Sequence, residues 1–128
     1  MGKTILVCGG RDYYNKEKIH EVLNHYVYEA IYLGTEPKNI TIVQGGAKGA
    51  DSLAKNYAEN WGLHGLVSKT FTADWGKHGK AAGPIRNQQM LDEGRPDIVV
   101  AFPGGSGTAD MILRAKKADI RVIEVPDG

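Results

Sequence analysis

Residues 96–111 read PDIVVAFPGGSGTADM, and the order of residue types in this stretch decides the expected fold class. Ile98 to Phe102 is an unbroken apolar run, short for a helix and rich in β-branched residues. That pattern marks a parallel strand covered on both faces. Pro103-Gly104-Gly105-Ser106-Gly107-Thr108 follows, and then a helical pattern from Ala109 to Ala118. A strand, a glycine turn and a helix in succession aim backbone N–H groups at an anion. Glycines suit such a turn because a Cβ would block phosphate oxygens and because the turn is expected to need positive φ. The stretch predicts a phosphate-bearing ligand.

Outward from this stretch the same alternation repeats. Thr4 to Val7 reads as a first strand ending at Cys8-Gly9-Gly10, with Arg11-Asp12-Tyr13-Tyr14 as a loop. Asn15 is placed to cap a helix whose apolar residues Ile19, Val22, Leu23, Tyr26, Val27, Ala30 and Ile31 recur at helical spacing until Gly34 stops it. Thr35 to Asn39 is a polar connection. Ile40 to Val43 is a second strand running into Gln44-Gly45-Gly46-Ala47-Lys48-Gly49-Ala50-Asp51, and a helix follows from about Asp51 to Trp61. Gly65 to Phe71 is a third strand, less apolar and so nearer a sheet edge. Thr72 to Gly83 reads as irregular. Pro84 opens a helix at its first position, where a missing N–H costs nothing, and Gly94 closes it. Ile120 to Val125 is the last strand.

Strands alternating with helices predict right-handed crossovers and a central parallel sheet in a Rossmann-like three-layer α/β fold. The expected strand order is 3-2-1-4-5. The 128 residues, 41% apolar and 24% charged, suit a single domain over 1–128. A chain of this length buries roughly two-thirds of its unfolded surface. The net charge of +1 argues against general nucleic-acid coating. One cysteine, Cys8, excludes an internal disulfide framework and fits a reducing compartment, where it reads as a small buried residue. No apolar segment reaches membrane-spanning length and no signal-peptide pattern opens the chain, so a cytoplasmic protein is expected.

Three strands end in glycine pairs, Gly9-Gly10, Gly45-Gly46 and Gly104-Gly105. In a parallel sheet these ends share one edge, beside the crevice where ligands bind. The turn at Gly45 to Asp51 lacks the Gly-Lys-Ser/Thr ending of a P-loop, and the first turn lacks a strict GxGxxG, so nucleotide hydrolysis with magnesium and ordinary hydride transfer lose their sequence support. His20, His25, His64 and His78 show no metal-ligand spacing, and neither metal nor cofactor is expected. His78 alone lies where a general acid is worth testing. The tyrosines Tyr26, Tyr28 and Tyr32 suit packing or a subunit contact.

On these residues the chain resembles the SLOG superfamily, in its YspA-like branch of small domains. The matching pieces are Cys8-Gly9-Gly10-Arg11-Asp12, Gly45 to Asp51, Ala73-Asp74-Trp75 through Gly79-Lys80-Ala81-Ala82-Gly83, Arg86-Asn87 with Met90, and Pro103 to Thr108. The last piece is shared with the LOG-type phosphoribohydrolases. The resemblance implies recognition of a nucleotide-derived molecule, such as an ADP-ribose- or NAD-derived or cyclic nucleotide signal. Some relatives serve anti-phage defence signalling. It also implies a homo-oligomer, a dimer or higher. The charge of +1 and the few aromatic residues leave nucleic acid unexpected as a partner, and no membrane is expected. The phosphoribohydrolases continue their motif to a glutamate that acts in N-glycosidic cleavage, and here that position is Met111. Asp110 precedes it, turned by about 100° on a helix.

The expectation is therefore a sensor or sequestering protein that binds without turnover. The alternatives are a nucleoside-monophosphate N-glycosidase and, last, DprA-like binding of single-stranded DNA. The expected ligand-binding residues are Gly9, Gly10, Arg11, Gly45, Gly46, Ala47, Gly49, Asp51, Trp75, Lys80, Arg86, Asn87 and the run Pro103, Gly104, Gly105, Ser106, Gly107, Thr108. Asp51 either caps its helix or reads a ribose hydroxyl, and Trp75 either stacks on a base or covers the core. Lys77 and Lys80 meet phosphate or water, with Lys80 favoured. Arg86, expected in a first helical turn where the dipole disfavours a cation, points to an anionic partner. Asp110, expected in a first turn, complements the dipole. If the protein is catalytic, Arg86 and Asp51 are the first candidates, with Asp74 as a further carboxylate.

Overall fold

The computed structural model describes residues 2–62 and 65–127. Strand β1 (Lys3–Cys8) leads to helix α1 (Lys16–Tyr32), and β2 (Ile40–Gln44) to α2 (Ala50–Glu59). After β3 (Val67–Thr70) come a single helical turn, α3 (Trp75–His78), a 3-10 turn (Gly79–Ala81) and α4 (Ala82–Gly94). The chain closes with β4 (Ile98–Ala101), α5 (Ser106–Lys117) and β5 (Arg121–Glu124). All four strand pairings are parallel, in the expected order β3-β2-β1-β4-β5. β1 and β4 are adjacent, with Ile5 opposite Ile98 and Cys8 opposite Ala101.

The two-residue period of the strands divides the core. Ile5, Val7, Ile42, Ile98 and Val100 face one layer, packed on Ile19, Leu23 and Val27 of α1 and Ala54 and Tyr57 of α2. Leu6, Cys8, Val43, Val99 and Ala101 face the other, against Met90 and Leu91 of α4 and Met111 and Ala115 of α5. The continuous apolar runs of β1 and β4 therefore reflect burial on both faces. Asn15 caps α1 through Oδ1, which accepts from the Lys18 N–H at 3.0 Å. Asp97 ties β4 to the start of β1, accepting from the Thr4 N–H at 2.7 Å through its side chain and donating its own N–H to the Thr4 carbonyl at 2.8 Å.

Several boundaries differ from the sequence expectation. α2 begins at Ala50 behind Gly49, so Asp51 lies inside the helix, and Trp61 lies beyond its end. Residues 75–81, expected to be irregular, form helical turns, because Asp74 caps α3 through an acceptor bond from the Lys77 N–H at 3.0 Å. These turns run directly into α4 at Ala82, which moves Pro84 to the third helical position, still among N–H groups that lack intrahelical partners. Arg86 consequently sits two residues deeper than expected, at the fifth helical position. Gly94 is the last helical residue, and the left-handed cap is Arg95, with φ of 48°. α5 starts at Ser106, inside the glycine turn, so Asp110 lies beyond the first turn. Gly104 and Gly105 have no positive φ. β3 and β5 are each shorter than expected, as suits strands at the sheet's two edges.

Candidate functional site

A cleft of about 640 Å³ opens at the carboxyl edge of the sheet, across the boundary between β1 and β4. One wall is the start of α5. Gly105 precedes the helix with no side chain capping it. The first backbone bond of the helix is donated by Ala109 to the Gly105 carbonyl at 3.0 Å. The N–H groups of Ser106, Gly107 and Thr108 thus have no protein acceptor among the described residues. Gly105, Ser106 and Gly107 are exposed and line the cleft with Thr108.

The start of α2 is arranged differently. The Gly46 N–H donates to Gln44 Oε1 at 2.6 Å, the Ala47 N–H to Asp51 Oδ2 at 3.2 Å, and the Ala50 N–H to the Gly10 carbonyl at 3.1 Å. Asp51 therefore stands where an anion would bind, with its carboxylate turned back onto the loop. Burial pushes its carboxyl above the ordinary 3.8, opposed by the Ala47 N–H and by the nearby Arg86 and Arg11 charges. Asp51 lines the cleft but does not cap its own helix. Gln44, fully buried, donates to Thr70 Oγ1 while holding the Gly46 N–H. A polar residue closing a buried strand was the available sign of that turn-holding task.

Most of the glycines serve packing between turns. A Cβ on Gly9 would meet the Ala50 methyl at 2.6 Å. On Gly49, which has φ of +76°, a Cβ would meet Arg11 backbone at 2.6 Å and the Gly10 carbonyl. On Gly104 it would meet Gly10 N at 2.7 Å and Thr108 Oγ1, and on Gly45 the Arg86 guanidinium. The Gly10 N–H donates to the Pro103 carbonyl at 2.9 Å, locking the β1 and β4 turns together. Among the glycines of the three strand-end turns, Gly105 and Gly107 alone have nothing within 4 Å of a Cβ position. These two face open space, and tight turn packing is the reason for glycine at the others.

Of the expected residues, Gly9, Gly10, Arg11, Ala47, Asp51, Trp75, Lys80, Arg86, Asn87, Gly105, Ser106, Gly107 and Thr108 line the cleft together. Gly45, Gly46, Gly49, Pro103 and Gly104 are not on its surface; they form the turns behind it. Cys8, Asp12, Gly83, Pro84, Met90 and Asp110 line it as well. Trp75 belongs to the cleft wall rather than to either core: its ring lies against Gly83, and the Arg11 guanidinium sits over it at 5.4 Å. Asp74 is occupied in capping α3, and neither it nor Lys77 nor His78 lines the cleft. His20 and His25 stack edge-on to Tyr57 and Tyr26, and His64 lies outside the described residues.

Arg86 reaches across the cleft floor, with Nη1 donating to the Gly45 carbonyl at 2.6 Å and Nε to Asn87 Oδ1 at 3.2 Å. Burial lowers its pKa, and Arg11 adds to this while the Asp51 carboxylate opposes it. Met111 is completely buried in the core against α4, whereas Asp110, one residue earlier, is the α5 carboxylate on the cleft. Asp110 Oδ2 accepts from Asn87 Nδ2 at 2.9 Å and from Arg114 Nε at 2.8 Å. Partial burial favours its neutral form, but these bonds and the Arg114 charge outweigh it, holding the carboxyl below its ordinary value. Asp110 is therefore more than a dipole complement. Burial pushes the Cys8 thiol at the cleft floor up to about 12, with Asp51 adding to the effect and Arg86 opposing it. Among the described residues no group of three acidic, histidine or cysteine side chains is disposed to hold a metal. None of the described helices is long and apolar enough to cross a membrane.

The fold is shared with the crystal structure of TM1055, at a TM-score of 0.64 and 18% identity, over 95% of this chain and 72% of that one. In sequence the chain is similar to the gene 61 protein of Mycobacterium phage D29, 34% identical over 131 residues and 98% of each chain. Residues 3–78 match the model of a family described as YspA, cpYpsA-related SLOG. That match spans β1 through α3, including the first two glycine turns and Trp75. With its five-stranded parallel sheet, its converging glycine turns and these matches, the chain belongs to the YspA/cpYpsA-related SLOG family.

Proposed function

We propose that the cleft captures a nucleotide-derived small molecule through its phosphate, with an ADP-ribose- or NAD-derived or cyclic nucleotide signal as the ligand class. The observation that carries this reading is the start of α5. Three N–H groups there lack protein acceptors among the described residues and open on a cleft that Arg86 and Lys80 also line. Such a helix start attracts anions through its partial positive charge and its free donors together. Trp75 offers a flat face for a base, and Asp51 an acceptor for a ribose hydroxyl. The family's recognition of nucleotide-derived ligands supports the same class. Capture without turnover is favoured because position 111, where the phosphoribohydrolases carry a glutamate, holds a fully buried Met111. The protein then acts as a sensor or a sequestering protein, in signalling or anti-phage defence. As in the related enzymes, a homo-oligomer in the cytoplasm is the proposed form, built from one domain over 1–128.

Calorimetric titration with ADP-ribose tests the reading. Binding is expected in the wild type and a loss of about tenfold or more in Arg86→Ala, the size of a lost hydrogen bond to a charged group. Absence of binding to ADP-ribose, AMP and cyclic nucleotides would overturn it. One observation favours a second reading, N-glycosidic cleavage of a nucleoside monophosphate: Asp51 and Asp110 both line the cleft, with pKa values pushed in opposite directions. Free base released from a nucleoside monophosphate, and abolished by Asp51→Asn, would replace capture with catalysis.

A further inference from the structure

Asn87 lines the cleft, yet its polar atoms face the protein. The residue is 5% exposed. Nδ2 donates to the Gly107 carbonyl at 3.2 Å and to Asp110 Oδ2 at 2.9 Å, while Oδ1 accepts from Arg86 Nε at 3.2 Å. The orientation of the amide is dictated by its partners: Arg86 only donates, and a carbonyl and a carboxylate only accept. Both amide protons are used, so the side chain has no donor left for a phosphate. Its three partners are the cation on the cleft floor, the first turn of α5 and the α5 carboxylate on the cleft.

We propose that Asn87 is a positioning residue that holds Arg86, the Gly107 turn and Asp110 in one geometry toward a phosphate-bearing ligand, without touching that ligand itself. This role rests on the phosphate-capture reading above. Arg86 is a long side chain with many rotamers, and ordering it on binding would weaken the complex. Here Asn87 at Nε and the Gly45 carbonyl at Nη1 order it in advance, and Nη2 has no hydrogen-bond partner among the described residues. Asp110 is braced from the far side by Arg114, whose Nη1 also reaches Gln88 Oε1 on α4 at 3.0 Å. The middle of α4 is thus joined by side-chain bonds to the first turn of α5 and to Asp110 and Arg114 beyond it. Only an amide serves both limbs. Aspartate would keep the bond to Arg86 but set a carboxylate against Asp110 and the Gly107 carbonyl, and leucine would lose all three bonds.

A double-mutant cycle read by calorimetry with ADP-ribose and AMP tests the role on wild type, Asn87→Ala, Arg86→Ala and the double variant. Asn87→Ala is expected to weaken binding about tenfold, and the double variant to bind within about threefold of Arg86→Ala alone, since coupled residues do not add. Multiplicative losses would mean a separate ligand contact and would overturn the role. The Arg86 Nε–H resonance supplies a signature that general destabilisation does not mimic. It is expected to be dispersed and slow to exchange in the wild type, retained in Asn87→Asp and averaged with solvent in Asn87→Ala. A solvent-averaged signal in the wild type, or an unchanged one in Asn87→Ala, would overturn the role. If Asn87→Ala does not fold, Asn87→Ser takes its place in the same cycle. Failure of the wild type to bind ADP-ribose, AMP or inorganic phosphate would remove the capture reading and this role with it. Wild-type binding with multiplicative losses would remove the role alone.

Discussion

Gly49 and Gly105 both precede a helix at the end of a strand, yet a methyl group at the two positions should act oppositely. Gly49 has φ of +76° and backbone of Arg11 at 2.6 Å from a Cβ, whereas Gly105 has nothing within 4 Å. Gly49→Ala is expected to destabilise the protein by about 3 kcal/mol or more, from left-handed strain and a contact with unyielding backbone. Gly105→Ala should leave stability within about 0.5 kcal/mol and weaken ligand binding instead. Urea denaturation beside calorimetry separates them, and equal loss of stability in both variants would contradict the assignment. Asp110 yields a pH prediction. Its carboxyl titrates below the ordinary 3.8, so its contribution to stability is present above that value and lost as pH falls through the folded pKa. The stability gap between wild type and Asp110→Asn should be open at neutral pH and close in strong acid. A gap independent of pH would show that the ionised form is not the one held. Asp51 has the opposite sign: burial raises its pKa, so its contribution is present below the ordinary value and lost as pH rises through the folded one.

At the scale of elements, the helix ends carry most of the divergence from simple pattern reading. α1 has its cap where an asparagine announces it. Asn15→Ala should cost about 1 kcal/mol of stability, measurable in urea. α4 ends on Arg95 in the left-handed region, although Gly94 stands beside it. Arg95→Gly should stabilise by up to about 1 kcal/mol, because glycine enters that region without the penalty of a Cβ. A loss of stability would mean that the Arg95 side chain has a further task. Periodicity identified α5 only from Ala109, because Ser106, Gly107 and Thr108 read as turn residues. The Asn87 bond to the Gly107 carbonyl helps to define the first turn of α5, and that contact lies 20 residues away in sequence.

For the whole molecule, the consequence of a cleft at the β1–β4 boundary is linkage between ligand and folding. Saturation with a ligand at a hundred times its dissociation constant should raise stability by about 2.7 kcal/mol, and the melting temperature by roughly 8 °C. Thermal scans with ADP-ribose, AMP and ribose 5-phosphate would rank the ligand classes. A shift that persists undiminished in Arg86→Ala would point to binding elsewhere.

The order of apolar runs and glycine pairs sufficed for the parallel sheet, its strand order and the convergence of the turns on one edge, because burial on both faces and right-handed crossovers leave few other arrangements. The family was legible too, since its motifs are local strings of residues. What the residues could not disclose was which donors of the three glycine turns the protein itself occupies. That depends on Asp51 folding back onto the Ala47 N–H and on Gly10 bonding to Pro103 and Ala50, contacts set by packing across the sheet edge. The same holds for the side of α5 that meets the cleft. Helical rotation places Asp110 on the cleft and Met111, one residue later, in the core.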